Sequence, residues 1–186
     1  RFSGEPVMPV KYYDTEDRVI YMGTFSKVLS PGIRLGWVVS NEAITRKIAL
    51  LKQGVDLCTN VFSQYIALEY LRKKMIDKQI PKIVELYKKK RDLMLKSLEE
   101  SMPDGVTWTK PNGGMFLWVT VDWGIDTEKL LQKALQNKVA YVVGTAFYPD
   151  GRGKNSMRLN FTYSRDEDIV EGIRRLGKAI KEEIKK

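Results

Sequence analysis

Two cations set the reading of this sequence: Lys27 and, seven residues on, Arg34. Lys27 closes the segment Val19, Ile20, Tyr21, Met22, Gly23, Thr24, Phe25, Ser26, whose apolar beginning predicts a short buried strand. A lysine after a strand most often begins a solvated loop, and in a lysine-rich chain that reading stands unless the neighbours argue otherwise. Here they do. Thr24 and Ser26 place two hydroxyls beside Lys27, Pro31 and Gly32 predict a turn, and Arg34 lies between Ile33 and Leu35 in an apolar stretch that runs on through Trp37, Val38 and Val39. That setting predicts a partly buried Arg34, and a buried guanidinium requires an anion. Hydroxyls, a guanidinium and an amine around one turn suit a phosphate that carries a carbonyl, because lysine is the side chain that condenses with an aldehyde to a Schiff base. Pyridoxal phosphate meets that description.

The elements that must position these groups follow from periodicity. A strand is predicted at 37–40, and Asn41 opens a helix with the apolar stripe Ile44, Ile48, Leu51; a second helix covers 61–74. The basic segment 73–96 reads as an amphipathic helix with Ile80, Ile83, Val84, Tyr87, Met94 and Leu98 on one face, Pro81 in its first turn and Pro103 past its end. Strands at 106–109 and 115–121 flank a turn at 111–114, Asp126 caps a helix reaching Asn137, and strands follow at 139–143 and 156–163. A closing helix carries the stripe Ile169, Ile173, Leu176, Ile180, Ile184 behind a capping box of Ser164 and Glu167. Strands alternating with helices predict an α/β class, with a change of domain near residues 77–81. Arg158 falls on the alternating strand Met157 to Phe161, and alternation alone leaves it either a surface arginine or a carboxylate binder.

Composition narrows the chemistry. The 186 residues are 43% hydrophobic, ample for a folded core, and hold one cysteine (Cys58) and no histidine. An internal disulfide is impossible, the usual general base and commonest zinc ligand are absent, and Asp122, Asp126 and Asp150 show no metal-loop spacing. No run approaches the roughly 20 apolar residues of a membrane span, and residues 1–10 show no signal-peptide pattern, so a cytoplasmic protein is expected. The net charge of +9, from 32 Lys and Arg against 23 Asp and Glu, is concentrated in the basic helix, whose lysines are expected on its solvated face rather than on nucleic acid.

The segment GTFSKVLSPGIRLGW resembles the cofactor-lysine segment of the class I/II aminotransferases, fold type I pyridoxal phosphate enzymes, most closely the aromatic, kynurenine and 2-aminoadipate branch. Similar segments continue in family order through PNGGMFLWV, GTAFYPDG and NSMRLNFTYS, so the resemblance covers nearly the whole chain. It implies that Lys27 is the Schiff-base lysine, that Arg34 clamps the cofactor phosphate with hydroxyl help from Thr24 and Ser26, and that Arg158 binds the substrate α-carboxylate. Phe147 and Tyr148 would line the substrate side or simply be packed. Many relatives have proline where this chain has Val143 before Gly144.

By the same resemblance, residues 1–78 are the C-terminal part of a large cofactor domain, and residues 79–186 form a small domain with a short, largely antiparallel sheet covered by helices. The family's ring-nitrogen aspartate, ring-hydroxyl tyrosine and phosphate-cradling loop lie upstream of Arg1, so this looks like a C-terminal fragment that is inactive alone. The intact protein would be a homodimer that moves an amino group from an aromatic or 2-aminoadipate-like amino acid to a 2-oxo acid such as 2-oxoglutarate. The alternative is an aminotransferase-like sensor domain of a DNA-binding transcriptional regulator.

Overall fold

The apolar stretches on either side of Lys27 and Arg34 pair with each other. Strands β1 (Tyr21–Thr24) and β2 (Gly36–Val39) form a two-stranded antiparallel sheet, in register from Tyr21↔Val39 to Thr24↔Gly36. Across this pair the Trp37 indole lies on Gly23, where a Cβ would come within 2.1 Å of the ring, so position 23 has room for glycine alone. The expectation of a buried strand is corrected: no residue of β1 or β2 is buried, and Met22 is 73% exposed. An unbroken apolar run is what a strand shows when both its faces are covered. Among the described residues this sheet has two strands and no such cover.

The structure is a computed structural model that describes residues 1–184 as an α/β chain of two compact units, Glu5–Ile83 and Arg1–Gly4 with the chain from Val84 onward. In the first unit, α1 (Glu42–Val55) starts where Asn41 accepts a hydrogen bond from the Ile44 N–H at 2.9 Å, and α2 (Val61–Arg72) where Asn60 accepts from the Ser63 N–H at 2.9 Å. The stripe of α1 is open, with Leu51 71% exposed, whereas α2 buries Ala67 and Tyr70. Lys74, in the left-handed conformation (φ 50°), ends the link between α2 and α3 (Met75–Ser101). Because α3 starts this early, Pro81 lies inside it rather than in its first turn, and the carbonyl of Asp77 loses its helical donor.

In the second unit a four-stranded antiparallel sheet runs in the order β3 (Val106–Trp108), β4 (Phe116–Val121), β6 (Ser156–Asn160), β5 (Val142–Val143). Alternation sorts its faces. Leu117, Val119, Val121, Met157 and Leu159 are buried with Met94 and Leu98 of α3, Leu130 and Ala134 of α4 (Thr127–Gln136), and Ile169, Ile173, Leu176 and Ile180 of α5 (Asp166–Ile184). The stripe predicted for the closing helix is therefore the one that seals the core. A Cβ on Gly177 would sit 2.4 Å from the Ser101 carbonyl oxygen, and that close approach is how α5 fits against the end of α3.

Two further expectations are revised here. The closing helix begins at Asp166, with Asp166, Glu167 and Asp168 in its first turn, so Ser164 is not its N-cap. The Ser164 carbonyl instead accepts from Lys90 Nζ, and Lys90 is buried, 8% exposed, while Lys88, Lys89 and Lys96 face solvent as expected. A buried ammonium needs such a partner, since burial without one costs several kcal/mol, roughly.

Candidate functional site

Lys27 sits in a turn whose backbone is held at one point. The Phe25 N–H continues the β1–β2 ladder to the Leu35 carbonyl at 3.0 Å, and the Phe25 carbonyl collects the N–H groups of Val28 (3.3 Å), Leu29 (2.8 Å) and Ser30 (3.2 Å). The Phe25 ring meets Trp37 edge-on with centroids 5.1 Å apart, and the Tyr70 hydroxyl of α2 donates to the Val28 carbonyl at 2.9 Å. The turn is thus pinned on both sides of Lys27, whose side chain is exposed and has no ion pair among the described residues.

The hydroxyls divide their work. Thr24 Oγ1 accepts from the Ser26 N–H at 3.1 Å and lies 2.9 Å from Ser26 Oγ and 3.3 Å from the Leu35 carbonyl, so the loop itself uses it. Ser26 Oγ has no carboxylate partner among the described residues. Ser30 then accepts from the Gly32 N–H and starts a short 3₁₀ turn, Pro31–Ile33, after which Arg34 takes the left-handed conformation (φ 51°) that leads the chain into β2. For a residue with a Cβ that conformation costs roughly 1–2 kcal/mol. Arg34 is exposed rather than partly buried, and one Nη donates to the Pro31 carbonyl at 3.0 Å. Its remaining donors have no carboxylate among the described residues.

Lys27 also lines a depression with Lys78, Gln79 and Lys82 of α3, Tyr70 and Met75, and no carboxylate is among its lining residues. An amine, a hydroxyl and a guanidinium on one pinned loop, beside further cations, fit an anionic cofactor with an aldehyde. No group of three or more His, Cys, Asp or Glu among the described residues could hold a metal ion.

The approach to β1 has its own anchor. The Asp14 carboxylate accepts from Lys11 Nζ at 2.8 Å and from the N–H groups of Val19 (2.9 Å), Arg18 (3.0 Å) and Glu16 (3.3 Å), with its side chain 4% exposed. The Lys11 bond first, and the backbone donors after it, hold this carboxyl well below the usual carboxylate range. Its stabilising effect is complete above the unfolded-state value near 3.9 and is lost as pH falls through the lower folded value. Asp14→Ala is expected to lower the urea midpoint at neutral pH, with the gap from the native protein closing below about pH 3; a gap independent of pH would show that the ionised carboxylate is not what anchors this segment.

In the second unit Arg158 stands on the sheet face opposite the core, directly across from Trp118 and Val142. Its guanidinium carbon lies 3.9 Å from the Phe116 ring centroid and 4.6 Å from that of Phe147. Its Nε is buried without a hydrogen-bond partner, and Arg158 has no ion pair among the described residues. Trp118 in turn meets Phe147 and Tyr148 edge-on, at 5.3 Å and 6.1 Å. Val143 holds φ −62°, the value a proline would fix, so the loop of Gly144 keeps that backbone without one.

The structure thus gathers Lys27, Ser26, Thr24 and Arg34 on one loop of the first unit, and Arg158 with Phe147 on one sheet face of the second. Sequence reasoning missed Tyr70 and Phe116. Nothing local marks Tyr70 as the tether of a turn 42 residues earlier in the chain. Phe116 shares the alternation that puts Trp118 opposite Arg158, and the register between β4 and β6 would have shown it.

Fold and site together define a class, and the chain belongs to the aminotransferase class I and II family, whose family model matches residues 4–176. It is 59% identical over 186 residues to aromatic-amino-acid aminotransferase 1 of Thermococcus litoralis, covering 100% of this chain and 45% of that protein. To the 2-aminoadipate transaminase of Thermus thermophilus it is 39% identical, over 88% of this chain and 41% of that protein. Among solved structures, kynurenine aminotransferase of Pyrococcus horikoshii superposes with a TM-score of 0.97 at 54% identity, over 100% of this chain and 46% of that one. An HTH-type transcriptional regulator of Bacillus subtilis also matches, 33% identical over 95% of this chain and 36% of that protein. The chain therefore spans less than half the length of the relatives it matches. Among the described residues no helix is long and apolar enough to cross a membrane.

Proposed function

We propose that the full-length protein is a pyridoxal phosphate-dependent aminotransferase that moves an amino group from an aromatic or 2-aminoadipate-like amino acid to a 2-oxo acid such as 2-oxoglutarate. The observation that carries this reading is an exposed lysine amine, free of ion pairs among the described residues, on a pinned turn shared with Ser26 and Arg34 in a chain of this family. When bound, pyridoxal phosphate supplies an aldehyde for an amine and an electron-accepting ring. Lys27 would hold the cofactor covalently, and its freed amine would take the proton from the substrate Cα and pass it to the cofactor carbon rather than back to Cα, which is what amino transfer requires. Arg34 and Ser26 Oγ donate to the phosphate, with Thr24 bracing Ser26, and Arg158 receives the α-carboxylate with its planar fork.

Residues 1–78 are read as part of a cofactor domain and residues 79–186 as a small domain, and the working enzyme as a homodimer in the cytoplasm. The 186-residue chain alone is expected neither to hold the cofactor tightly nor to turn over. The test is to load the full-length protein with pyridoxal phosphate, reduce with borohydride and locate the modified residue by peptide mass, in parallel with 2-oxo acid release from a panel of amino donors. Labelling at Lys27 with release from aromatic donors or 2-aminoadipate supports the proposal; labelling elsewhere, or none, sinks it. A second reading, a cofactor-sensing domain of a transcriptional regulator, is favoured by the match to such a regulator. It predicts labelling at Lys27 without release from any donor.

A further inference from the structure

An arginine that must receive a ligand carboxylate has to be held in place without using up its N–H groups, and Arg158 is held in that way. A protein carboxylate would orient the guanidinium but would occupy the donors a substrate needs. Aromatic faces attract the delocalised cation through the ring and leave its N–H edge open. Phe116 pairs with Asn160 and Trp118 with Arg158, so Phe116 is the diagonal neighbour of Arg158 on the same sheet face, within reach of a large side chain. The guanidinium carbon lies 3.9 Å from the Phe116 centroid and 4.6 Å from the Phe147 centroid, and Phe147 is itself steadied by Trp118. No charged partner competes for Arg158 among the described residues, and its Nε is sealed from solvent.

We propose that Phe116 is a positioning residue for substrate binding, holding Arg158 together with Phe147 so that its donor edge is free for the α-carboxylate. The proposal rests on the reading of Arg158 as the carboxylate-binding arginine. It predicts that Phe116→Leu in the full-length enzyme, which keeps apolar bulk and removes the ring, raises KM for both the amino acid and the 2-oxo acid by about tenfold while kcat stays within about twofold. Phe116→Tyr, which keeps the ring, is expected to retain the native KM. In an Arg158→Gln background, Phe116→Leu should add no further rise, because the cation it positions is gone. An unchanged KM in folded Phe116→Leu, or the same rise in the Arg158→Gln background, would overturn the proposal. Should Phe116→Leu fail to fold, Phe147→Leu takes its place, since Phe147 is 41% exposed and removes the other ring face; an unchanged KM there overturns the proposal equally. Arg158→Gln with a native KM would instead refute the underlying reading of Arg158 and is distinguishable from both.

Discussion

Lys27→Ala in the full-length enzyme is expected to lower amino-transfer turnover on the order of 10⁴-fold, because the proposed role makes one side chain both covalent anchor and proton carrier. Nothing nearby substitutes for it. Lys78 and Lys82 share its depression but belong to α3, not to the pinned turn, and the chain has no histidine. Lys27→Arg is expected to fail as fully as alanine, since a guanidinium keeps its proton at any working pH and forms no Schiff base. The decisive measurement is single-turnover release of 2-oxo acid by purified Lys27→Ala protein. Near-native turnover there would remove Lys27 from the chemistry altogether.

Arg158→Ala carries the second large effect, and of a different kind. Truncating one partner of a desolvated, hydrogen-bonded charge pair costs roughly 2–5 kcal/mol, so kcat/KM should fall by about 30- to 5,000-fold for amino acid and 2-oxo acid alike. A carboxylate is gripped equally before and during proton transfer, so the loss is expected mainly in KM. Arg158→Lys restores the charge without the planar fork and should recover only part of the loss. A fall confined to kcat, or to one of the two substrates, would mean that Arg158 does not hold the carboxylate common to both.

Local chemistry and the buried stripe of the closing helix were legible in the sequence, whereas the exposure of β1, β2 and Arg34 and the packing between distant segments were not. The turn around Lys27 could be read because its hydroxyls, proline, glycine and arginine lie within a few residues of one another, where steric and hydrogen-bonding rules act directly. The helix starts at Asn41 and Asp126 were legible for the same reason. The start of α3 was not, because it depends on Lys74 entering the left-handed region, which an ordinary lysine gives no sign of. The Ser164 cap likewise does not form, since the helix begins at Asp166, and the Ser164 carbonyl accepts from Lys90, on a helix far away in sequence. Apolar runs showed where β1 and β2 form but not what covers them, and the partial burial expected of Arg34 rested on apolar neighbours that are themselves half-buried or exposed. The placing of Arg158 between two rings requires the β4–β6 register, which alternation within either strand leaves open.

The three N–H groups that converge on the Phe25 carbonyl bear on which substitutions the turn around Lys27 can accept. Positions 28, 29 and 30 contribute backbone donors there, so each can exchange its side chain far more readily than its amide hydrogen. Proline, which has none, is shut out at all three and becomes acceptable at the next position, where the 3₁₀ turn begins and no donor is owed. Pro31 stands at the first place the backbone permits it, and the mutational boundary of the turn can be drawn between Ser30 and Pro31.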